Sequence, residues 1–333
     1  MSTQRELPQS HISSREGSTA ESDFARCRYL FRQRHPPAGA KGAPFSANDA
    51  MKVGSIVHYA LRLTFENARA LQQDPDGGLL WSPWQDTLRA IHEGKCEGVS
   101  PSLMEAALQM FAVAAPDLDD TDAFTEEWGT VIAVEQRIRV ELSPGEWYSP
   151  TVDLLCLKGD ALVFDDHKVT RMPWSPLKEA MHKSSIQFIG MSAALREGFF
   201  VEVPLNDALA RDATKCVSDE VKCGGPRGYA WVHASSDGVT NVNHLQMPLG
   251  TFGTYQARRV PIRCGKDAVA SCTHTLARNR AERHELEARE ADFPPAERAA
   301  LWPRAMGLTC LSPFKEGVCD LFDSCHAPGG GAS

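Results

Sequence analysis

The chain of 333 residues lacks any apolar run that approaches the roughly 20 residues of a membrane-spanning helix. Its first residues are polar and lack the apolar core of a secretory signal peptide. It also lacks internal repeats. We therefore expect a cytoplasmic protein with no membrane partner.

The chain also has no overall basic charge. Its formal net charge is −8, so any nucleic acid would have to be bound by a local basic surface. The hydrophobic fraction of 42% is ordinary for a globular protein, and a chain of this length can bury a large core. We expect residues 1–20 to be a disordered tail and residues 328–333 to be a flexible tail.

Cysteine, by contrast, is abundant, with ten residues. In the expected reducing compartment this number argues against a disulfide framework and favours metal or cluster ligation by some of the cysteines. Cys310, Cys319 and Cys325 lie close together in a segment interrupted by Pro313 and Gly317, as ligands on a loop would. A fourth ligand must come from elsewhere. A site of four thiolates suits zinc as well as an iron–sulfur cluster.

The apolar patterns predict an α/β fold with a central mixed β-sheet flanked by helices and with helical elaborations. Gly and Pro positions divide the chain into these elements. The predicted helices and strands are a helix over 20–35, a helix from 48, mostly helical residues over 81–117, a strand over 130–141, a helix over 176–199, a strand over 228–234 and a charged, mostly solvated helix over 271–290.

Two apolar strands surround Gly159 and Asp160, a pair that suits a two-residue hairpin loop. If Gly159 and Asp160 form the loop, then Asp153 lies directly opposite Asp166. Opposed like charges destabilise a sheet, whereas a hard divalent cation prefers carboxylate ligands. The register therefore predicts a metal site. Strand alternation adds Lys168 to the face of Asp166 and turns Asp165 to the other face.

The order of Asp153 and then Asp166-His167-Lys168 resembles the motif of the PD-(D/E)XK nuclease superfamily. The resemblance is to its RecB-like branch, which includes the AddB-type nucleases and the nucleases of CRISPR adaptation. These proteins carry a Gly-x-x-x-His motif on an upstream helix, and Gly54 and His58 match it.

The family also has Gln-x-x-x-Tyr on the helix after the hairpin. In this chain Gln187 matches this motif, whereas Met191 stands where the family has tyrosine. This departure puts the contribution of the tyrosine in doubt and leaves the metal ligands untouched. Glu135, on the preceding strand, lies where related nucleases often have a glutamate and is a candidate supporting residue.

The resemblance implies a restriction-endonuclease-like core in a single nuclease domain over residues 21–327. Within this domain it implies an inserted helical region over about 60–125 and a cysteine cap over 300–327. It also implies site residues. The implied catalytic residues are Asp153, Asp166, Lys168 and Gln187. Mg²⁺ or Mn²⁺ would be held by His58, Asp153, Asp166 and the backbone carbonyl of His167.

The resemblance further implies a [4Fe-4S] cluster that joins the two ends of the chain, with Cys27 as the fourth ligand beside Cys310, Cys319 and Cys325. Structural Zn²⁺ on the same cysteines is the alternative. In the family a cysteine before an aromatic and basic stretch supplies this ligand, and residues 27–32 are similar to that segment, although Arg28 replaces the proline that often follows the cysteine.

The implied function is a metal-dependent deoxyribonuclease, in the first instance an exonuclease. It would act in DNA repair, recombination or phage DNA metabolism in a bacterial or phage-infected host cell. Its partners would be single-stranded DNA or duplex ends, with a helicase or recombination protein as a further candidate. Arg28, Arg32, Arg258 and Arg259 are candidate DNA contacts. The alternative is a DNA-binding module that is stabilised by the cluster or zinc and does not cleave.

Overall fold

The computed structural model describes residues 18–35, 49–73, 99–116, 118, 120–143, 146–202, 229–232, 237–248, 253–294 and 298–302. Contacts divide the chain into two compact units. Unit 1 contains the described residues of 47–140 and 150–269, and unit 2 contains those of 11–46, 141–149 and 270–333. The predicted single domain over 21–327 stays a prediction.

Helices and strands alternate along the described part of the chain. The helices are α1 (Ser18–Arg26), α2 (Arg28–Arg34), α3 (Asp49–Gln73), α4 (Pro101–Ala114), α5 (Thr121–Trp128), α6 (Pro176–Lys183), α7 (Ile186–Glu197) and α8 (Lys266–Ala291), with a short 3₁₀ helix over Arg298–Leu301. The strands are β1 (Thr130–Ser143), β2 (Glu146–Tyr148), β3 (Thr151–Lys158), β4 (Ala161–Thr170), β5 (Phe199–Glu202), β6 (Tyr229–Val232), β7 (Val239–Gln246) and β8 (Gln256–Arg263).

Seven of these strands form one mixed sheet in the order β6-β5-β1-β3-β4-β7-β8, and β2 pairs with β1. Strands β4 and β7 pair in parallel, whereas the pairs β1–β3, β3–β4 and β7–β8 are antiparallel. The predicted α/β class with a central mixed sheet is therefore confirmed. None of the helices in the described ranges combines the length and the apolar character that a membrane crossing requires.

The β3–β4 hairpin has the predicted register, with Lys158 paired with Ala161. Gly159 has a φ of 60°, whereas Asp160 has a negative φ. A positive φ at the first loop position alone is typical of a II′ turn, for which glycine is favoured. The local sequence therefore determines the register of the strands that carry the aspartates.

Two apolar cores cover the two faces of the sheet in unit 1. On one face, α3, α4 and α5 pack over Leu154 and Cys156 of β3. On the other face, α7 packs over Leu155 of β3 and Phe164 of β4. Because side chains alternate along a strand, Asp166 and Lys168 continue the face of Phe164, towards α7.

Two predicted helices are each divided in the structure. The segment over 20–35 forms α1 and α2, because Cys27 has extended backbone and its Sγ accepts a hydrogen bond from Leu30 N as the N-cap of α2. The segment over 176–199 forms α6, α7 and the start of β5, because Ser185 caps α7. The predicted burial of Leu177 is wrong, since it is 66% exposed.

Unit 2 contains buried ion pairs between α1, α2 and the part of α8 that lies in this unit. Arg280 of α8 lies 2.6 Å from Glu21 of α1, and both side chains are only 1% exposed. Arg28 and Arg32 of α2 bond to Glu282 and Glu290 of α8. The prediction that α8 is mostly solvated is therefore wrong for the face that carries Arg280.

Candidate metal centre at a fork in the sheet

The site lies where β3 and β4 separate. Their ladder ends at the pair Leu154–Asp165. Beyond this pair β3 continues to pair with β1, and β4 continues to pair with β7. Asp153 and Asp166 are the next residues in register, so they stand on the two arms of the fork. The carboxylate of Asp153 spans the gap and accepts a hydrogen bond of 2.6 Å from the backbone N–H of His167.

The expected alternation of β3 breaks at Asp153. Val152 packs in the core that contains Leu155, whereas Leu154 packs in the opposite core. The neighbouring strand is irregular at the same level, because Glu135 has a φ of 50°, which is rare for a residue other than glycine. The register pairs on either side place Glu135 opposite Asp153. Asp153 thereby lies 3.5 Å from His58 of α3, and its charge also acts on Asp166 and Lys168. The ladder ends one pair before the two aspartates, so their direct opposition stays a prediction.

His58, Glu135 and Asp153 together form a group that could hold a metal ion. Each offers a ligand atom, and these atoms all lie within 4.8 Å of one another. Helix α3 supplies His58, whose Nδ1 lies 3.5 Å from an Asp153 oxygen. Asp166 is not a member of this group, although its charge raises the pKa of Glu135 and the charge of Asp153 raises its own pKa. One imidazole and two carboxylates are ligands that suit Mn²⁺ or Mg²⁺.

Asp166 is held on the other arm of the fork by two donors. Lys168 Nζ lies 2.8 Å from one carboxylate oxygen and donates to the other at 3.0 Å. Gln187, from the first turn of α7, donates a hydrogen bond of 2.6 Å to Oδ1. Oδ2 is buried, and the ammonium group of Lys168, 2.8 Å away, is its ionic partner. A metal ion at this oxygen would therefore compete with Lys168.

The carboxylates of the fork affect one another electrostatically. Burial, followed by the charge of Asp153, raises the pKa of Glu135 to about 8. Burial also raises the pKa of Asp166 to about 6, although Lys168 opposes this shift. Burial would raise the pKa of Asp153 too, but the nearby His58 and Lys168 and the hydrogen bond from the backbone of His167 lower it. The fork therefore concentrates negative charge that a cation would stabilise.

Lys168 remains charged within this cluster. Burial alone would lower its pKa, but Asp166 and Asp153 raise it. Its side chain is one-third exposed, whereas that of Asp166 is buried. A cationic group on a rigid strand beside a candidate metal centre can contact an anionic substrate.

The ring of His167 lies on the face opposite to Asp166. It stacks on Phe65 of α3, and its Nδ1 lies 3.1 Å from the amide of Asn243. Burial lowers the pKa of His167 to about 3, so the ring is neutral. The imidazole therefore has a packing role, and His167 contributes to the site through its backbone.

Asp165 is separated from the site, as the alternation predicts. Arg259 of β8 binds both of its oxygens, at 2.6 and 2.8 Å. The guanidinium also lies 4.4 Å from the ring of Trp128 and donates to the carbonyl of Glu127. This buried pair joins β4 to β8 across β7 on the face opposite to Lys168.

The candidate DNA-binding arginines differ in their contacts. Arg28, Arg32 and Arg259 each bond to a carboxylate, which occupies the groups that were predicted to contact DNA. Arg258 is exposed on β8. Of the candidate cluster ligands, Cys27 is buried in unit 2. Cys310, Cys319, Cys325 and nearly all of the predicted cap lie outside the described residues.

Three residues lie near Lys168 although no sequence pattern predicts this. His244 of β7 is its register partner. Lys178 of α6 lies close enough that burial and then the charge of Lys168 lower its pKa. Trp174 contacts His244. Strand β7 was not predicted, because its polar residues conceal the pattern of a buried strand. Without β7, the sequence could not place these groups beside the hairpin.

No family model, curated protein or solved structure matches this chain.

Proposed function

We propose that this protein is a metal-dependent nuclease that hydrolyses phosphodiester bonds in DNA. The observation that carries the proposal is the fork, at which His58, Glu135 and Asp153 come within 4.8 Å of one another. Beside them, Lys168 lies 2.8 Å from Asp166. The order of the sequence motifs, which resembles that of RecB-like nucleases, supports the same reaction.

The residues of the fork fit a divalent cation. His58, Glu135 and Asp153 would hold it, and Asp166 would add a ligand only if Lys168 moved away from its Oδ2. When bound, such an ion would polarise a phosphate and lower the pKa of a bound water. It would also offset the repulsion that raises the pKa of Glu135.

The other residues of the fork bind and orient. The ammonium group of Lys168 would contact a non-bridging phosphate oxygen and stabilise the charge that develops there. Gln187 fixes Asp166 through its 2.6 Å hydrogen bond, and Asp153 is fixed by the backbone N–H of His167. Preorganised groups of this kind need little rearrangement during reaction.

A [4Fe-4S] cluster or structural zinc on Cys27, Cys310, Cys319 and Cys325 remains part of the proposal. Cys27 lies in a core of unit 2 that also contains Trp302, so this core includes a residue shortly before Cys310 in the chain. Metal analysis of anaerobically purified protein distinguishes the two, since iron with sulfide is expected for the cluster and zinc for the alternative.

The test is the rate of DNA cleavage with Mg²⁺ or Mn²⁺ by the wild type and by Asp166→Asn and Lys168→Met. The removed interactions stabilise transition-state charge by several kcal/mol, so both variants should lose at least about 10²-fold in rate. Exposed neighbours on α8 provide matched controls, Asp267→Asn and Lys266→Met, which should retain the wild-type rate. Equal rates for all five proteins, or no cleavage by the wild type, would contradict the proposal.

A further inference from the structure

A polar face of the sheet extends from Lys168 to the edge strand β8. Lys168 pairs in register with His244, and His244 pairs with Arg258. In the next row, Gln246 pairs with Gln256. Since paired residues project from the same face and strands lie about 4.8 Å apart, Arg258 is about 10 Å from Lys168 at the level of the backbone. Substrate bound at Lys168 can therefore reach β8.

This face contains a cavity of about 480 Å³. Trp174, His244, Gln246, Gln256 and Arg258 line it. The volume is in the usual range for small-ligand sites. The lining combines an aromatic ring, two amides, an imidazole and a guanidinium, which together could bind a flat, hydrogen-bonding group with a nearby negative charge.

His244 is a buried imidazole in the lining of this cavity. Its side chain is 2% exposed, and neither ring nitrogen makes a hydrogen bond of good geometry within the described ranges. The backbone of Met172 bonds to the ring closely enough to raise its pKa, against the larger effect of burial. Burial of a polar group without a partner costs free energy. A ligand in the cavity could satisfy these nitrogens.

Trp174 forms a fixed aromatic wall beside His244. The two ring centroids are 5.2 Å apart in an edge-to-face arrangement. His182 of α6 stacks on Trp174 with centroids 5.8 Å apart. Aromatic walls of this kind bind nucleobases, with a contribution of about 1–3 kcal/mol per base.

Positive charge surrounds the cavity. Arg258 lies at its edge and is exposed. Lys178 of α6 is close enough to His244 and Lys168 to lower the pKa of His244, after the larger effect of burial. The cations thus continue from the proposed catalytic group to the cavity, as a polynucleotide backbone requires.

We infer that this cavity is a subsite for one unpaired nucleobase of the DNA strand, a few nucleotides from the scissile phosphate. The base packs against Trp174 and bonds to His244 and a glutamine amide, while Arg258 and Lys178 contact neighbouring phosphates. The inference rests on the proposed function. A base must leave its duplex stack to enter such a cavity, so the subsite predicts a preference for single-stranded substrate or frayed ends.

The test is a scan with single-stranded oligonucleotides that each lack one base. Binding is measured with the Asp166→Asn protein, in which DNA stays intact, by fluorescence anisotropy. Removal of the base at one position should weaken binding about 5- to 150-fold, which corresponds to the free energy of one stacked base. A protein that also carries Trp174→Ala should bind intact DNA more weakly by the same factor. In this protein, removal of the base at that position should cause no further loss of affinity. Leu177→Ala, at an exposed residue nearby, should leave the profile unchanged.

The outcomes separate the subsite from the proposed function. The subsite is overturned if Trp174→Ala weakens the binding of every oligonucleotide equally, or if it leaves the profile unchanged. Either result would count against the subsite even if the wild type cleaves DNA. A sensitive position that depends on Trp174 would support the subsite even if no cleavage is found. Trp174→Phe retains an aromatic wall and should restore most of the binding, which excludes a folding defect as the cause. A free deoxynucleoside monophosphate should compete much more weakly than the oligonucleotide. If it binds with the same affinity, the cavity is a mononucleotide site, which would contradict a strand subsite.

Discussion

Glu135 combines an unusual backbone with an unusual charge. Its φ of 50° lies within a strand, and its pKa is raised to about 8 by burial and by Asp153. Both features cost free energy in the folded protein, and such costs are typical of functional sites. Their place at the fork agrees with a carboxylate that is kept for ligand binding at the expense of stability.

We expect Glu135→Gln to stabilise the metal-free protein. The raised pKa means that the native state favours the neutral acid, so stability is present below pH 4.5 and falls as the pH rises through about 8. The gain from the substitution should therefore be small at pH 4.5 and reach at least about 1 kcal/mol at pH 8, since a pKa shift of one unit corresponds to about 1.4 kcal/mol. Urea unfolding in the presence of a chelator measures it.

Glu126→Gln, at an exposed glutamate of α5, is the matched control and should show no such pH dependence. Destabilisation by Glu135→Gln at pH 8 would contradict the electrostatic account of the fork. Cleavage by the same variant should decrease, since a ligand is lost.

Met191 shows what the sequence could predict at this scale. The resemblance marks it as a departure from the family motif, and in the structure Met191 is fully buried in the core with Phe164 and Leu195. Gln187, by contrast, was correctly assigned to a helix after the hairpin, and its contact with Asp166 follows from that position.

At the scale of elements, alternation gives adjacent residues different surroundings. Asp165 is fully buried and paired with Arg259, whereas Asp166 faces the fork. Arg258 and Arg259 likewise project from opposite faces of β8. The sheet thus separates a structural ion pair from a candidate substrate surface by a single step along each strand.

This separation predicts that substitutions of the two neighbouring arginines change the free energy of unfolding by very different amounts. Arg259→Met leaves the carboxylate of Asp165 buried without its cation and should reduce the free energy of unfolding by about 3–5 kcal/mol. Arg258→Met should change it by less than about 0.5 kcal/mol while weakening DNA binding. Urea unfolding of both variants measures the change in stability. Fluorescence anisotropy with DNA measures the loss of binding by Arg258→Met. Similar stability losses for both would contradict it.

The hairpin could be predicted from the sequence because its register depends on local turn chemistry at Gly159 and Asp160. The fork could not, because it depends on pairing of β4 with β7, which is distant in the chain. Strand β8 contains Pro261 and arginines that obscure a strand pattern. The divided helices carried a local signal that was missed, since Ser185 and Cys27 act as caps.

At the scale of the whole molecule, the two units have different chemistry. Unit 1 contains most of the sheet, the fork and the cavity beside Lys168. Unit 2 contains buried ion pairs such as Glu21–Arg280 and the core around Cys27 and Trp302. The resemblance predicted site residues in both units. In the described part of the chain, the predicted site residues of unit 1 lie around the fork. The cysteine cluster stays a prediction.

The central claim is that the fork in unit 1 is a metal centre, and anomalous diffraction from crystals grown with Mn²⁺ tests it most directly. We predict one strong peak within about 2–2.5 Å of ligand atoms of His58, Glu135 and Asp153, at the distances of nitrogen and oxygen ligands. The peak should be absent from crystals of Asp153→Asn. Full manganese occupancy elsewhere with no peak at the fork would contradict the account.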